Sequence, residues 1–177
     1  MSVGAAPEPP KLIEHVAELR RRLGNRREVH SAIEARGFAL STSQVPERAE
    51  IRLDGVLESI PNGVTVTGTV TVPWTGECRR CLEPTAGVAS AEVREVFEVR
   101  PVEGETWPLR GDELDLGPMV HDTVLLALPL APLCADDCQG PAPEEFPARP
   151  AAEPSGDAGA VPPERDPRWA ALDDLDL

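Results

Sequence analysis

Two short cysteine couplets place the strongest constraint on how this chain can fold. Cys78-Arg79-Arg80-Cys81 is followed, after a long intervening segment, by Cys134-Ala135-Asp136-Asp137-Cys138, and these are the only four cysteines in 177 residues. A C-x2-C and a C-x3-C couplet each put two thiols on one tight loop. A tetrahedral zinc site with four cysteine ligands is commonly built from two such loops. The segment between the couplets is far longer than the roughly 15–20 residues of a compact zinc ribbon. It must therefore hold structure of its own and still bring its two ends together. Cys78, Cys81, Cys134 and Cys138 are the candidate metal ligands, with zinc the expected ion. Two disulfides, four separate reduced thiols and a thiol–disulfide redox pair are the alternatives. Residues 1–10 are rich in Ala and Pro, with one Glu, and lack the apolar run of a secretory signal. The expected location is the cytoplasm, where disulfides are rare and paired cysteines bind metal or serve redox chemistry.

The segment joining the couplets has a clear period of two. Ile51, Leu53 and Leu57 alternate with Arg52, Asp54 and Glu58, as in a half-buried strand. Pro61-Asn62-Gly63 is a turn signal, the Asn-Gly pair being suited to positive φ. Val64, Val66, Val70 and Val72 then alternate with Thr65, Thr67, Thr69 and Thr71, broken only by Gly68. Such a β-branched run predicts a strand with one apolar and one hydroxyl face, leading through Trp74 into the first couplet. Ala89, Ala91, Val93, Phe97 and Val99 share a face of a third strand, interrupted by Glu95. Val102–Gly111, with Trp107, reads as a loop, and Glu113–Leu116 as a short edge strand. Gly117-Pro118 opens a helix over Met119–Leu128, Pro being favoured at the first helical position. Val120, Val124 and Leu128 recur every fourth residue, with Met119, Leu125 and Leu126 widening the buried face. Pro129 stops the helix and the chain runs directly into the second couplet. Helix and hairpin are thus expected to deliver their cysteines to one place.

The N-terminal part carries a different signal. Leu12, Val16, Leu19 and Leu23 predict one apolar stripe of a helix over residues 11–23, with Gly24-Asn25 as its stop. Arg20, Arg21 and Arg22, with Arg26 and Arg27, form the densest positive charge in the chain, and Arg79 and Arg80 are expected to project from the tip of the first couplet. These seven arginines are the candidate RNA- or partner-binding residues, although a charge run is usually a solvated face. Glu28–Ile33 predicts a short strand and Gly37–Glu47 a loop. The net charge of −14 opposes general nucleic-acid binding, which draws its affinity from neutralised phosphates. Acidic residues outnumber arginines from Glu144 onward, so a basic front is set against an acidic tail. The expected organisation is a disordered 1–10, a domain over 11–140, a disordered Pro-rich acidic linker over 141–166 and a short helix over 167–177. No apolar run approaches the roughly 18 residues of a membrane span, and no membrane role is expected.

Several of these stretches resemble the YceD family, the large ribosomal RNA subunit accumulation proteins. The resemblance rests on Gly76-Glu77-Cys78-Arg79-Arg80-Cys81-Leu82-Glu83-Pro84, on Gly111–Leu116, on Leu125–Cys134, and on Asp166-Pro167-Arg168-Trp169 near the end. At Pro141–Glu145 the chain departs from the many relatives that carry a further cysteine couplet. The resemblance implies a non-enzymatic role in large-subunit ribosomal RNA accumulation during 50S assembly. Its partners would be that RNA, a precursor 50S particle or basic ribosomal proteins. The residues by themselves predict an α+β fold, a twisted antiparallel sheet curling toward a barrel with one packed helix and a four-cysteine corner. They contain no phosphate-cradling loop, nucleophile elbow or His-Glu-x-x-His motif, and His15, His30 and His121 are scattered. Catalysis is not expected. The alternatives are a thiol–disulfide oxidoreductase using Cys78 and Cys81, and an adaptor for basic ribosomal proteins that makes no RNA contact.

Overall fold

The computed structural model describes residues 9–145. The chain divides into two compact units, Met1–Pro141 and Ala142–Leu177, and every helix and strand described lies in the first. The linker expected over 141–166 lies outside the described residues from residue 146 on, as does the whole terminal helix expected over 167–177.

Three long strands form the frame: β4 (Glu50–Ile60), β5 (Gly63–Glu77) and β6 (Pro84–Glu98). Before them come β1 (Ile13–His15), β2 (Arg26–Glu34) and β3 (Ser43–Gln44), and after them β7 (Trp107–Arg110), β8 (Glu113–Asp115) and helix α1 (Gly117–Ala127). The strand order is β1-β8-β7-β6-β5-β4-β2, with β3 paired to the end of β5. All pairings are antiparallel except β6 with β7, where Phe97 lies opposite Trp107. The sheet curls into a half-barrel. Its two end strands approach closely enough for Arg27 of β2 to donate to the His15 carbonyl of β1 at 2.9 Å and to the Glu14 carboxylate at 2.9 Å.

The core lies inside this curl. Val64, Val66, Val70 and Val72 are fully buried on one face of β5, and their alternation with threonine is what the pleat requires. Val93 and Phe97 of β6 continue that face, and Met119, Val120, Val124 and Leu128 of the α1 segment close over it. Each such aliphatic side chain taken from water contributes about 1.5–3 kcal/mol. Val99 is exposed beyond the end of β6, and Leu126 is 86% exposed, so neither joins the predicted buried face. Leu125 packs at its margin.

Other expectations need correction. Residues 11–23 are not one helix. Ile13–His15 pairs with β8, and only Leu19–Arg21 makes a single 3-10 turn. Val16 and Leu19 are buried as the stripe implied, but Leu23 is 63% exposed. Backbone pairing decides the matter: Val16 donates to the Asp112 carbonyl at 2.9 Å, and Leu116 donates to the Leu12 carbonyl at 2.8 Å. An isolated helix of this length is marginal in water, so a sheet that offers partners on β8 outcompetes it. As a result β8 is an interior strand of the order, not an edge. Part of the predicted loop 102–111 is strand β7, anchored because the Trp107 ring stacks on Phe97 with centroids 6.2 Å apart. The predicted strand Glu28–Ile33 is present within the longer β2, and the predicted loop Gly37–Glu47 contains the two-residue β3.

The β4–β5 turn also differs in its mechanism. Ile60 pairs with Gly63, leaving Pro61 and Asn62 as the loop, and neither Asn62 nor Gly63 is among the positive-φ residues. Glycine is required at 63 for space: a Cβ there would stand 1.8 Å from the Phe97 carbonyl oxygen. At Gly68 a Cβ would meet the Asp54 carbonyl oxygen at 2.3 Å and the Gly55 Cα at 2.6 Å. The break in the valine run is therefore a close approach of two strands. Gly68→Val is expected to destabilise the domain by about 1–3 kcal/mol, as overpacking does. Urea unfolding measures this, and a midpoint equal to that of the wild type would contradict the packing argument.

Candidate metal centre

The β5–β6 ladder runs without a break from Gly63 opposite Glu98 to Glu77 opposite Pro84. The first couplet is the short loop that joins these strands. Two backbone bonds fold it into a knuckle: Cys78 donates to the Glu83 carbonyl and Leu82 to the Cys78 carbonyl, each at 2.8 Å. Leu82 takes a left-handed conformation, φ 64°, which turns the chain back toward β6 and leaves its side chain 68% exposed.

The second couplet comes from the segment that follows α1. After α1 the chain is extended at Leu128, and two hydroxyls of the β3 region hold the segment beyond it. Ser43 donates to the Pro129 carbonyl and Thr42 to the Leu130 carbonyl, both at 2.8 Å. Arg79 N–H then donates to the Pro132 carbonyl at 2.9 Å, joining the second segment to the first knuckle. Ser43 and Thr42 lie in what the sequence presents as loop, and small polar residues there carry no signal of a distant partner.

The four thiols converge as the spacing predicted. Their sulfur atoms all lie within 4.8 Å of one another. Cys78 Sγ is 3.8 Å from Cys138 Sγ, and Cys81 Sγ is 3.7 Å from Cys134 Sγ. No disulfide is present among these cysteines. A tetrahedron with metal–sulfur bonds of about 2.3 Å has sulfur–sulfur edges of about 3.8 Å, so both distances fit a thiolate cage around one ion. The four cysteines lie close enough to hold a metal ion.

Electrostatics favours the same arrangement. The backbone N–H groups of Cys81 and Cys134, with that of Arg80, point at Cys78 Sγ and lower its pKa to about 5 despite burial. Cys134 moves the other way. The Cys138, Cys78 and Cys81 sulfurs beside it, together with burial, push its pKa up to about 12. Cys81 gains from the Glu83 backbone amide, but burial and the Cys78 sulfur outweigh it and its pKa is raised. One thiolate is thus ready-made, and further ionisation in the cluster is opposed until a cation supplies the compensating charge.

Five of the seven predicted arginines have partners within the chain. Arg80 turns inward across the knuckles and donates through one nitrogen to the Asp136 carbonyl at 3.0 Å and the Cys138 carbonyl at 2.7 Å. It therefore clamps the second couplet to the first. Arg20 is held by the Gly111 carbonyl at 2.7 Å and Asp112 at 3.2 Å. Arg26 pairs with Glu58 and Arg27 with Glu14, both at 2.9 Å, and Arg21 pairs with Glu18 at 3.5 Å. Arg22 and Arg79 are exposed, and neither has a carboxylate partner among the described residues. The structure brings the four cysteines together and sets partners from this chain beside five of the seven arginines.

A curled β-domain with paired cysteine knuckles belongs to the class in which a thiol cluster ties distant segments together. A family model described as "Large ribosomal RNA subunit accumulation protein YceD" matches residues 66–176. The chain belongs to this family. It is 34% identical over 166 residues to an uncharacterized protein of Mycobacterium tuberculosis strain H37Rv, covering 89% of this chain and 77% of the relative. An uncharacterized protein of Mycobacterium bovis matches with the same figures. One of Mycobacterium leprae is 34% identical over 99 residues, 52% of this chain and 46% of the relative. No solved structure matches the chain. Among the described residues no helix is long and apolar enough to cross a membrane.

Two outcomes follow for the centre. Arg80→Gln is expected to weaken metal retention about tenfold, the usual effect of removing a group that orients the ligands, and chelator competition measures it. Metal affinity is also expected to rise with pH through the neutral range. Cys81 and Cys134, both raised, are protonated there and must lose their protons to bind. Proton release on metal loading, followed with an indicator dye, checks the sign.

Proposed function

We propose that this protein is a non-enzymatic factor in large-subunit ribosomal RNA accumulation and 50S assembly, a cytoplasmic binding module whose cysteine corner is held by one zinc ion. The observation that carries this reading is a four-sulfur cluster within 4.8 Å in a chain of the family described by that RNA role. Zinc is favoured because an all-thiolate tetrahedral set with no open position is the donor set of structural zinc sites. The cluster's position supports a structural role, since it closes the β5–β6 loop onto the segment that follows α1.

A redox role for Cys78 and Cys81 is the weaker reading. Cys78 has the depressed pKa of a nucleophile, but its sulfur is fully buried, and the couplet lies on a hairpin loop rather than at a helix N-terminus.

The arrangement of charge favours a protein partner over direct RNA contact. Of the seven arginines proposed for binding, five hold carboxylates or carbonyls of this chain, and the net charge is −14. The adaptor reading, in which acidic surface engages basic ribosomal proteins, therefore joins the main proposal as its more specific form.

Protein purified without chelator is expected to contain about one zinc per chain, and Cys134→Ser to lose it with a lower thermal midpoint. Elemental analysis finding no metal, or finding iron, would remove the zinc assignment. For function, tagged protein recovered at native salt is expected to bring down precursor large-subunit particles. Arg22→Gln with Arg79→Gln separates the two modes. Each lost phosphate contact would reduce the salt slope by about one unit, whereas the adaptor reading expects recovery and slope unchanged.

A further inference from the structure

A groove between α1 and β7 plays no part in the metal centre. Its walls are Glu95 of β6, residues 104–106, Trp107 of β7, and Met119, Asp122, Thr123 and Leu126 of α1, and they enclose about 340 Å³. The indole of Trp107 is fixed before anything binds. It stacks on Phe97 at an interplanar angle of 24°, and its Nε1 donates to Glu95 Oε2 at 3.0 Å. The adjoining loop is also ordered, because Val102 N–H donates to Thr106 Oγ1 at 2.8 Å and Thr106 N–H to the Val102 carbonyl at 3.0 Å. Glu105 is therefore held at the rim.

Two further features describe what fits there. Leu126 is 86% exposed, the most open large hydrophobic side chain among the described residues. It stands at the mouth of the groove, on a helix whose other large side chains are packed. The charge lining the groove has one sign: Glu95, Glu105 and Asp122 contribute carboxylates, and no lysine, arginine or histidine lines it.

We infer that this groove between α1 and β7 is a docking site for a basic polypeptide segment. One lysine or arginine enters between Trp107 and the helix, and a neighbouring aliphatic residue covers Leu126. The stem of such a side chain is apolar and packs on the half-buried Trp107, while its cationic head meets the carboxylates. An indole adds cation–π attraction. A rigid aromatic wall lowers the entropic cost of docking. A phosphate backbone would face three carboxylates, so nucleic acid does not fit. The inference rests on the adaptor reading and names the surface that such an adaptor would use.

The test is fluorescence anisotropy with a labelled short peptide of alternating arginine and leucine, and with its glutamate–leucine counterpart. The wild type is expected to bind only the basic peptide. Glu105→Arg combined with Leu126→Ser is expected to weaken binding about tenfold. Both residues are exposed, so the melting profile should hold. Glu92→Arg, an equally exposed charge change at Thr69's partner on β6, controls for diffuse attraction and is expected to shift binding less than about twofold. Equal losses in the two variants, or no binding by the wild type, would overturn the groove. A second arm uses basic proteins extracted from large ribosomal subunits. If the wild type and the double variant capture them equally, the groove is wrong and the adaptor reading stands. If the peptide binds in the groove but no ribosomal protein is captured, the groove stands and the adaptor reading is lost.

Discussion

The fifteen-residue ladder between β5 and β6 is the constraint on which the rest of the molecule depends. One side of it presents the valines that bury α1, and its free end carries the first cysteine knuckle. Because a strand alternates strictly, a one-residue slip would turn Val64, Val66, Val70 and Val72 outward together. Register, core and the orientation of the knuckle are therefore specified by the same residues. Gly63 and Gly68 permit the close backbone contacts that the ladder makes with Phe97 and with β4.

The four-cysteine corner is the place where the β5–β6 loop and the segment that follows α1 meet. Helix α1 packs on the ladder through Met119, Val120 and Val124, which brings the following segment near the knuckle. Thr42, Ser43, Arg79 and Arg80 then fix its carbonyls one by one. Hydrogen bonding alone would leave four sulfurs crowded in partly buried space. Backbone N–H groups lower the Cys78 pKa to about 5 and the neighbouring sulfurs push that of Cys134 up to about 12, an electrostatic state that a divalent cation would relieve. The four cysteines lie close enough to hold such an ion.

Charge elsewhere has been used to close the sheet. Arg27 spans the gap between the end strands, Arg20 joins the 3-10 turn to the β7–β8 connection, and Arg26 holds β2 to β4. Surface pairs of this kind contribute about 0–1 kcal/mol each. Their larger effect is on recognition, because an arginine that holds a carboxylate is less free to hold a phosphate. Among the arginines from 20 to 27, only Arg22 is left without a carboxylate or carbonyl of this chain's described residues beside it.

Much of this was legible in the residues before any coordinates. The Val/Thr alternation, the Gly-Pro helix start and the two couplets identify the central hairpin, α1 and the thiol cluster, because each depends on periodicity or spacing within one short segment. What the sequence could not determine depends on partners distant along the chain. Residues 11–23 have a helical stripe, yet β8 offers them backbone bonds that a short isolated helix cannot match. Trp107 lies between Gly104 and Pro108, and its stacking on Phe97 together with pairing to β6 and β8 makes β7 a strand. The arginines read as one basic face from residue 20 to 27 until folding set carboxylates and carbonyls beside most of them. Local pattern determined the central hairpin, β6, α1 and the thiol cluster. Only the tertiary structure decided which edges needed partners and which charges remained free, because both depend on contacts between residues far apart in sequence.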